Sequence, residues 1–212
     1  MNRRRFLMAS TAGLLLWPLG AQSAEAPAKK DKPKSESAKD DKPKDAKAKE
    51  DSETFSQNEI LAKAEGFFGS TTKGLAEAIQ KVFEDKGRPN AYIAGSEASG
   101  AIGIGLRYGE GQLVRKKGKG RKVYWQGPSI GWDLGGNASK VFTLIYKLDS
   151  NDQLFQRFPG VDGSFYLVAG VGVNYQQSGA IILAPIRTGV GLRAGASVGY
   201  LHYTREHSWV PL

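Results

Sequence analysis

The stretch Gly103-Ile104-Gly105-Leu106-Arg107-Tyr108-Gly109 returns further along the chain as Gly189-Val190-Gly191-Leu192-Arg193-Ala194-Gly195. A looser copy, Gly170-Val171-Gly172-Val173-Asn174-Tyr175, lies between them. In extended chain, successive side chains point to opposite faces. Gly103, Gly105, Arg107 and Gly109 therefore share one face, and Ile102, Ile104, Leu106 and Tyr108 the other. The second copy sorts the same way. This is strand rhythm rather than a dinucleotide fingerprint, which must open a helix after a strand. Here the third glycine also comes one residue late. Glycine weakens a strand, so such a face implies sharp curvature or close approach of another backbone.

The same alternation extends outward from these copies. From Pro89 onward, β-branched and aromatic residues recur at period two, broken by Gly, Asn and Asp. Strands are predicted near 90–98, 100–108, 111–116, 121–127, 129–135, 139–147, 163–175, 179–186 and 188–200. A short last one falls around 201–204, and a brief helix at 151–157. Hairpin turns are predicted at Gly109-Glu110-Gly111, Gly118-Lys119-Gly120 and Gly135-Gly136-Asn137. About eight to ten short-linked strands with no helices between them make an antiparallel meander, and closing it removes its edges. The predicted fold is mainly β, a small soluble antiparallel β-barrel, with a sandwich as the other solution. Two short N-terminal helices pack on it. Ser56-Gln57-Asn58-Glu59 has capping-box spacing ahead of Ile60, Leu61, Ala64 and Phe67, ending at Gly69. The second helix starts near Thr72, carries Leu75, Ala76, Ile79, Val82 and Phe83 on one stripe, and stops at Gly87 and Pro89.

The 212 residues carry a net charge of +9, unevenly spread. Residues 1–24 have Arg3, Arg4 and Arg5, then the apolar run Phe6 to Leu19, then small residues at Gly20, Ala21, Ser23 and Ala24. That is the layout of an export signal, and the run is too short for a spanning helix, which needs about 20 apolar residues. Arg3-Arg4-Arg5-Phe6-Leu7 fits the twin-arginine pattern as well as the general secretory one. Either route places the mature protein in the periplasm with no transmembrane segment after cleavage. Residues 25–54 hold nine Lys and nine Asp or Glu, with no aromatic or large aliphatic residue to drive collapse, and read as a disordered linker. Residues 55–212 form the domain, with 18 basic and 12 acidic side chains.

No Cys is present, which excludes disulfides, thiolate metal sites and cysteine nucleophiles, and two His give no basis for a multi-histidine metal centre. No cofactor motif is found. His202 and His207 lie beside Tyr200, Tyr203 and Trp209 and read as part of an aromatic-pinned closing strand. Asp149-Ser150-Asn151-Asp152 reads as a helix cap rather than a calcium loop. Trp125, Trp132, Tyr124 and Tyr146 line an apolar cavity or fill a core. The anion-binding candidates are basic. Arg107 and Arg193 sit on glycine-rich faces, where a guanidinium can grip a phosphate or carboxylate with two prongs. Arg115, Lys116, Lys117, Lys119, Arg121 and Lys122 put six positive charges into eight residues across a turn. Such a turn suits lipopolysaccharide phosphates or anionic phospholipid headgroups. Nucleic acid is not an expected partner of an exported protein.

The stretches Phe165-Tyr166-Leu167-Val168-Ala169-Gly170-Val171-Gly172-Val173-Asn174-Tyr175-Gln176-Gln177 and Ile182-Leu183-Ala184-Pro185-Ile186-Arg187-Thr188-Gly189-Val190-Gly191-Leu192-Arg193 resemble the EipA family, as do Gly199-Tyr200-Leu201 and Trp209-Val210-Pro211. These are proteobacterial periplasmic envelope-integrity proteins. The resemblance runs from about Phe55 to Leu212 and implies a soluble periplasmic β-barrel. It implies a role in resisting envelope stress linked to the lipopolysaccharide layer, and no known enzymatic activity. The expected function is non-enzymatic support of the cell envelope through binding an anionic component or an envelope protein. A lipid carrier with an internal apolar cavity, and an envelope hydrolase, are the alternatives.

Overall fold

A computed structural model describes residues 52–69, 73–133, 139–188 and 199–207, with the side chains of 100–104 and 129–133 outside that description. The export segment, the linker as far as residue 51, the turn at 135–137 and the copy containing Arg193 lie outside the described residues. So do most of the strand predicted at 188–200 and Trp209.

Two helices come first. Helix α1 (Gln57–Phe68) is opened by the expected capping box: the Glu59 N–H donates to Ser56 Oγ and the Ser56 N–H to Glu59 Oε2. It stops at Gly69, whose left-handed φ of 82° lets its N–H reach back to the Glu65 carbonyl. Lys140 from the sheet donates to the carbonyls of Phe67 (2.8 Å) and Phe68 (3.4 Å), satisfying groups the helix end leaves open. Helix α2 (Lys73–Lys86) buries Leu75, Ala78, Ile79 and Val82 along one stripe. Composition assigns Glu53 and Thr54 to the linker, yet both are tied to the domain. Thr54 Oγ1 accepts from Arg88 Nε, and Glu53 pairs with Lys117.

The strands are β1 (Ala91–Arg115), β2 (Arg121–Asp133), β3 (Ser139–Tyr146), β4 (Arg157–Pro159), β5 (Tyr166–Val168), β6 (Val171–Val173), β7 (Gln176–Ser178), β8 (Ile181–Thr188) and β9 (Tyr200–Thr204). They form one antiparallel sheet in the order β4-β9-β2-β1-β3-β8-β6-β5, with β7 also on β8. The fold is mainly β and barrel-like, as predicted. Gly160, just after β4, bridges Gln176, and the Val161 N–H donates to the Tyr175 carbonyl. The β4 end of the path thus returns to β7, which rides on β8 near the other end.

Strand β1 differs most from expectation. A straight strand of its length would separate its ends by about 80 Å. Instead the Lys116 N–H donates to the Asn90 carbonyl at 3.0 Å, and a Cβ on Gly111 would lie 2.9 Å from Gly95 Cα. The strand doubles back, pairing Ala91–Glu97 with β3 and Ala101–Leu113 with β2. The predicted turn at Gly109-Glu110-Gly111 does not form there: Gly109 and Gly111 stay extended, opposite Trp125 and Val123. Their glycines serve close packing, not reversal. The turn at Gly118 does form, with φ of 100°. The single strand predicted at 163–175 is a hairpin, β5 and β6, reversed at Ala169 and Gly170, both at positive φ. The helix predicted at 151–157 is one 3-10 turn, Asn151–Leu154.

Alternation along β3 separates two cores. Phe142, Leu144 and Tyr146 face the helices and join Ile60, Leu75, Ile79 and Ile186 in one cluster. Val141 and Ile145 face the barrel interior with Ile93, Leu113, Val123, Trp125, Phe158, Leu183, Leu201 and Tyr203. The segment after β3 contributes Leu148 and Leu154 to this second cluster. The β1–β3 ladder runs from Ala91 opposite Ile145, near that plug, to Glu97 opposite Ser139 at the far end.

Candidate functional site

The far end of the barrel interior is polar. Its floor is made by glycine: a Cβ on Gly109 would collide with the Trp125 ring, and one on Gly95 would lie 2.8 Å from Trp125 Cη2. The indole lies across two residues without side chains, which supplies the reason the sequence demanded for this glycine face. Trp125 Nε1–H then donates to Glu97 Oε2 at 3.2 Å. Glu97 is 4% exposed. From β8, Arg187 donates through Nε to Glu97 Oε1 (2.6 Å), through Nη2 to Oε2 (3.4 Å) and through Nη1 to Asn174 Oδ1 (2.8 Å). From β1, Arg107 Nε stands 3.6 Å from Glu97 Oε1.

Burial pushes the Glu97 carboxyl up, but the Arg187 and Arg107 charges and the hydrogen bonds reverse this and hold it below its ordinary value. It is a carboxylate throughout the physiological range. Burial, and the charge of Arg187, lower the Arg107 guanidinium against the opposing pull of Glu97. Among the described residues, two guanidiniums facing one carboxylate leave a formal excess of one positive charge inside the barrel.

The basic turn is built differently. Arg115 donates to the carbonyls of Leu148 (3.0 Å) and Asp149 (2.6 Å), pinning the plug rather than pointing outward. Lys116 binds Glu59 at 2.6 Å and lies over the Phe55 ring. Its hydrogen bond, with that of the Ser56 backbone, draws the Glu59 carboxyl down to about 2. Lys117 pairs with Glu53 (3.0 Å), and Lys122 pairs with Glu110 (3.1 Å) while lying over Tyr124. Arg121 stacks on Phe155. Lys119 has no side-chain partner among the described residues. The turn thus divides: Arg115 and Lys116 hold the domain together, whereas Lys117 and Lys122, 59% and 56% exposed, face water in weak pairs.

The other candidates take ordinary places. Trp125 and Tyr146 are core, and Tyr124 meets the His207 ring edge-on at 5.7 Å. Tyr203 is held between Trp125 and Phe158, so aromatics do pin β9. Asp152 pairs with Arg205, and Gln153 Oε1 accepts from the Asp149 and Ser150 N–H groups at the start of the 3-10 turn. The side chain of Trp132 is outside the described set. Of the predicted site residues that are described, only Arg107 reaches the interior cluster, Arg193 lying outside the described residues. Its partners Glu97, Arg187 and Asn174 were missed. The available cue is that Glu97 is the sole charge between Pro89 and Leu106, as Arg187 is between Gly179 and Leu192. Alternation puts both on inward faces.

Comparison with known proteins agrees with this architecture. The family model described as Envelope integrity protein A matches residues 53–212. A solved structure from Brucella abortus, described as a beta-barrel-like, uncharacterized protein, superposes with a TM-score of 0.70. It is 46% identical over 76% of this chain and 99% of that one. No curated protein matches.

Proposed function

The chain belongs to the envelope integrity protein A family, and on that premise we propose that it is a non-enzymatic periplasmic protein that steadies the envelope by contacting an anionic surface. The observation that carries this reading is the outer half of the basic turn. Lys119 is without a side-chain partner among the described residues, and Lys117 and Lys122 beside it are more than half exposed. Exposed ion pairs are worth at most about 1 kcal/mol and are readily exchanged for phosphate oxygens. Each basic residue near an anionic membrane surface contributes about 1 kcal/mol. The described interior supports a scaffold over a carrier, because Leu113, Val123, Ile145, Leu154 and Phe158 are fully buried in one cluster. Its one buried carboxylate, Glu97, is held ionised by arginine and is ill suited to donate a proton.

The test is co-sedimentation of the protein with phosphatidylglycerol vesicles against phosphatidylcholine vesicles over a salt series. Binding should favour the anionic vesicles and weaken with salt. Lys117→Gln, Lys119→Gln and Lys122→Gln together should cost about a hundredfold in affinity. Binding of the triple variant indistinguishable from the unaltered chain at every salt concentration overturns the assignment.

A further inference from the structure

We propose that the polar end of the barrel interior is a binding site for a small oxyanion, a phosphate or carboxylate group, received by the Arg107 guanidinium beside the Arg187–Glu97–Asn174 frame. Most of the polar groups at this end of the interior are already committed to one another. Arg187 spends Nε, Nη1 and Nη2 on Glu97 and Asn174. Glu97 accepts from Arg187 on both oxygens and from Trp125 on Oε2. That leaves Arg107. Its Nε is 3.6 Å from the carboxylate, beyond hydrogen-bond reach. Both Nε and Nη1 are buried with no hydrogen-bond partner among the described residues, on a side chain only 12% exposed.

A guanidinium carries five donors, and more than about 90% of buried polar groups in folded proteins are satisfied. A charged guanidinium whose buried Nε and Nη1 find no acceptor among the described residues implies a missing one. The formal excess of one positive charge gives the sign of the missing group, and the planar fork gives its type, since guanidinium pairs two-pronged with carboxylate and phosphate. On the inward face of β1 the neighbour of Arg107 is Gly105, which has no side chain to fill the space beside it.

This site is separate from the basic turn. The experiment follows the Arg107 Nε–H and Trp125 indole N–H resonances of the full chain during titration with three probes. These are inorganic phosphate, acetate and dihexanoyl phosphatidylglycerol. At millimolar concentration at least one should shift both resonances, and whichever does so best names the source. Arg107→Met should weaken that probe by roughly tenfold to a hundredfold, the worth of a charge-assisted hydrogen bond. Arg107→Lys should restore only part of the loss. Glu97→Gln removes the competing carboxylate and should tighten the same probe, a change opposite in sign to any general folding defect. Shifts in neither resonance with all three probes overturn the proposal, as does a response identical in Arg107→Met and the unaltered chain. Loss of vesicle binding in the lysine variant with these shifts retained would leave the site standing and separate it from the membrane contact.

Discussion

Replacing Gly109 with alanine tests whether the glycine face exists to seat Trp125. The added methyl would collide with the body of the indole, and the ring has little room to retreat because its other end lies so close over Gly95 that a Cβ there would sit 2.8 Å from Cη2. Forcing a methyl into a packed interior costs about 1–3 kcal/mol. Displacing the indole also breaks its hydrogen bond to Glu97, and a bond to a charged group is worth about 1.5–3 kcal/mol. The sum is about 2.5–6 kcal/mol, against a total stability on the order of 5–15 kcal/mol. For a domain of this size each kcal/mol moves the melting temperature by about 2–4 °C, so Gly109→Ala should lower it by about 5 °C at the least. Thermal and urea denaturation followed by circular dichroism provide the assay. Gly66 supplies the control, since it lies in α1 with nothing near its Cβ position. Gly66→Ala should stabilise by about 0.5–1 kcal/mol. In a Trp125→Leu background the cost of Gly109→Ala should fall below about 1 kcal/mol, giving a coupling of 1 kcal/mol or more in the cycle, as contacting residues show. A Gly109→Ala protein within about 0.5 kcal/mol of the parent, or additive behaviour in the cycle, would refute the reasoning.

Three further outcomes follow from the same contacts. Glu97→Gln leaves two buried guanidiniums uncompensated and should cost about 3–5 kcal/mol in urea denaturation, a loss that a bound oxyanion partly restores. Glu59, held down at about 2 against an ordinary 4.5, stabilises the fold when ionised. That contribution is complete above pH 4.5 and disappears as pH falls through 2. Glu59→Gln should flatten the stability profile across that window, by no more than about 1 kcal/mol given its exposure, and an unchanged slope would exclude the Lys116 contact. Lys140→Met removes the cation from the carbonyl end of α1 and should destabilise by about 0.5–1 kcal/mol, with amide exchange at the helix C-terminus accelerating first.

Local chemistry made parts of this fold readable. The capping box at Ser56, the stops at Gly69 and Gly87, the reversal at Gly118 and the alternation of β3 each rest on residues within a few positions of one another. The misread turn at Gly109 shows where that logic ends. Glycines flanking a glutamate look like a hairpin, and only the indole of Trp125, brought across from the paired strand, reveals why they stay extended. The interior cluster was hidden for the same reason. Glu97 and Arg187 are 90 residues apart, and β3 separates their strands in the sheet. The basic turn was legible as a concentration of charge, but its division was not. Its first lysines find Glu59 and Glu53 57 and 64 residues away.

That division connects the fold to its proposed work. Strand β3 is buried on both faces, by the interior on one side and by α1 and α2 on the other. The β3 wall under the helices is therefore not free for a partner. Strand β2 carries Lys122 and Tyr124 on its outward face, away from the interior that holds Val123 and Trp125. The turn from β1 to β2 bridges the two halves: Lys116 anchors it to the helical layer, and Lys119 to Lys122 lie on the uncovered side. Anchoring one end orders the loop, so presenting its remaining charges to an anionic surface costs less conformational entropy than a free loop would pay. On this argument Lys116→Met, which touches no proposed ligand, should weaken vesicle binding along with Lys117, Lys119 and Lys122, and should do so through a loosened turn visible in amide exchange at residues 116–120. Weakened binding with exchange unchanged would mean that Lys116 meets the surface itself and that the anchoring argument is wrong.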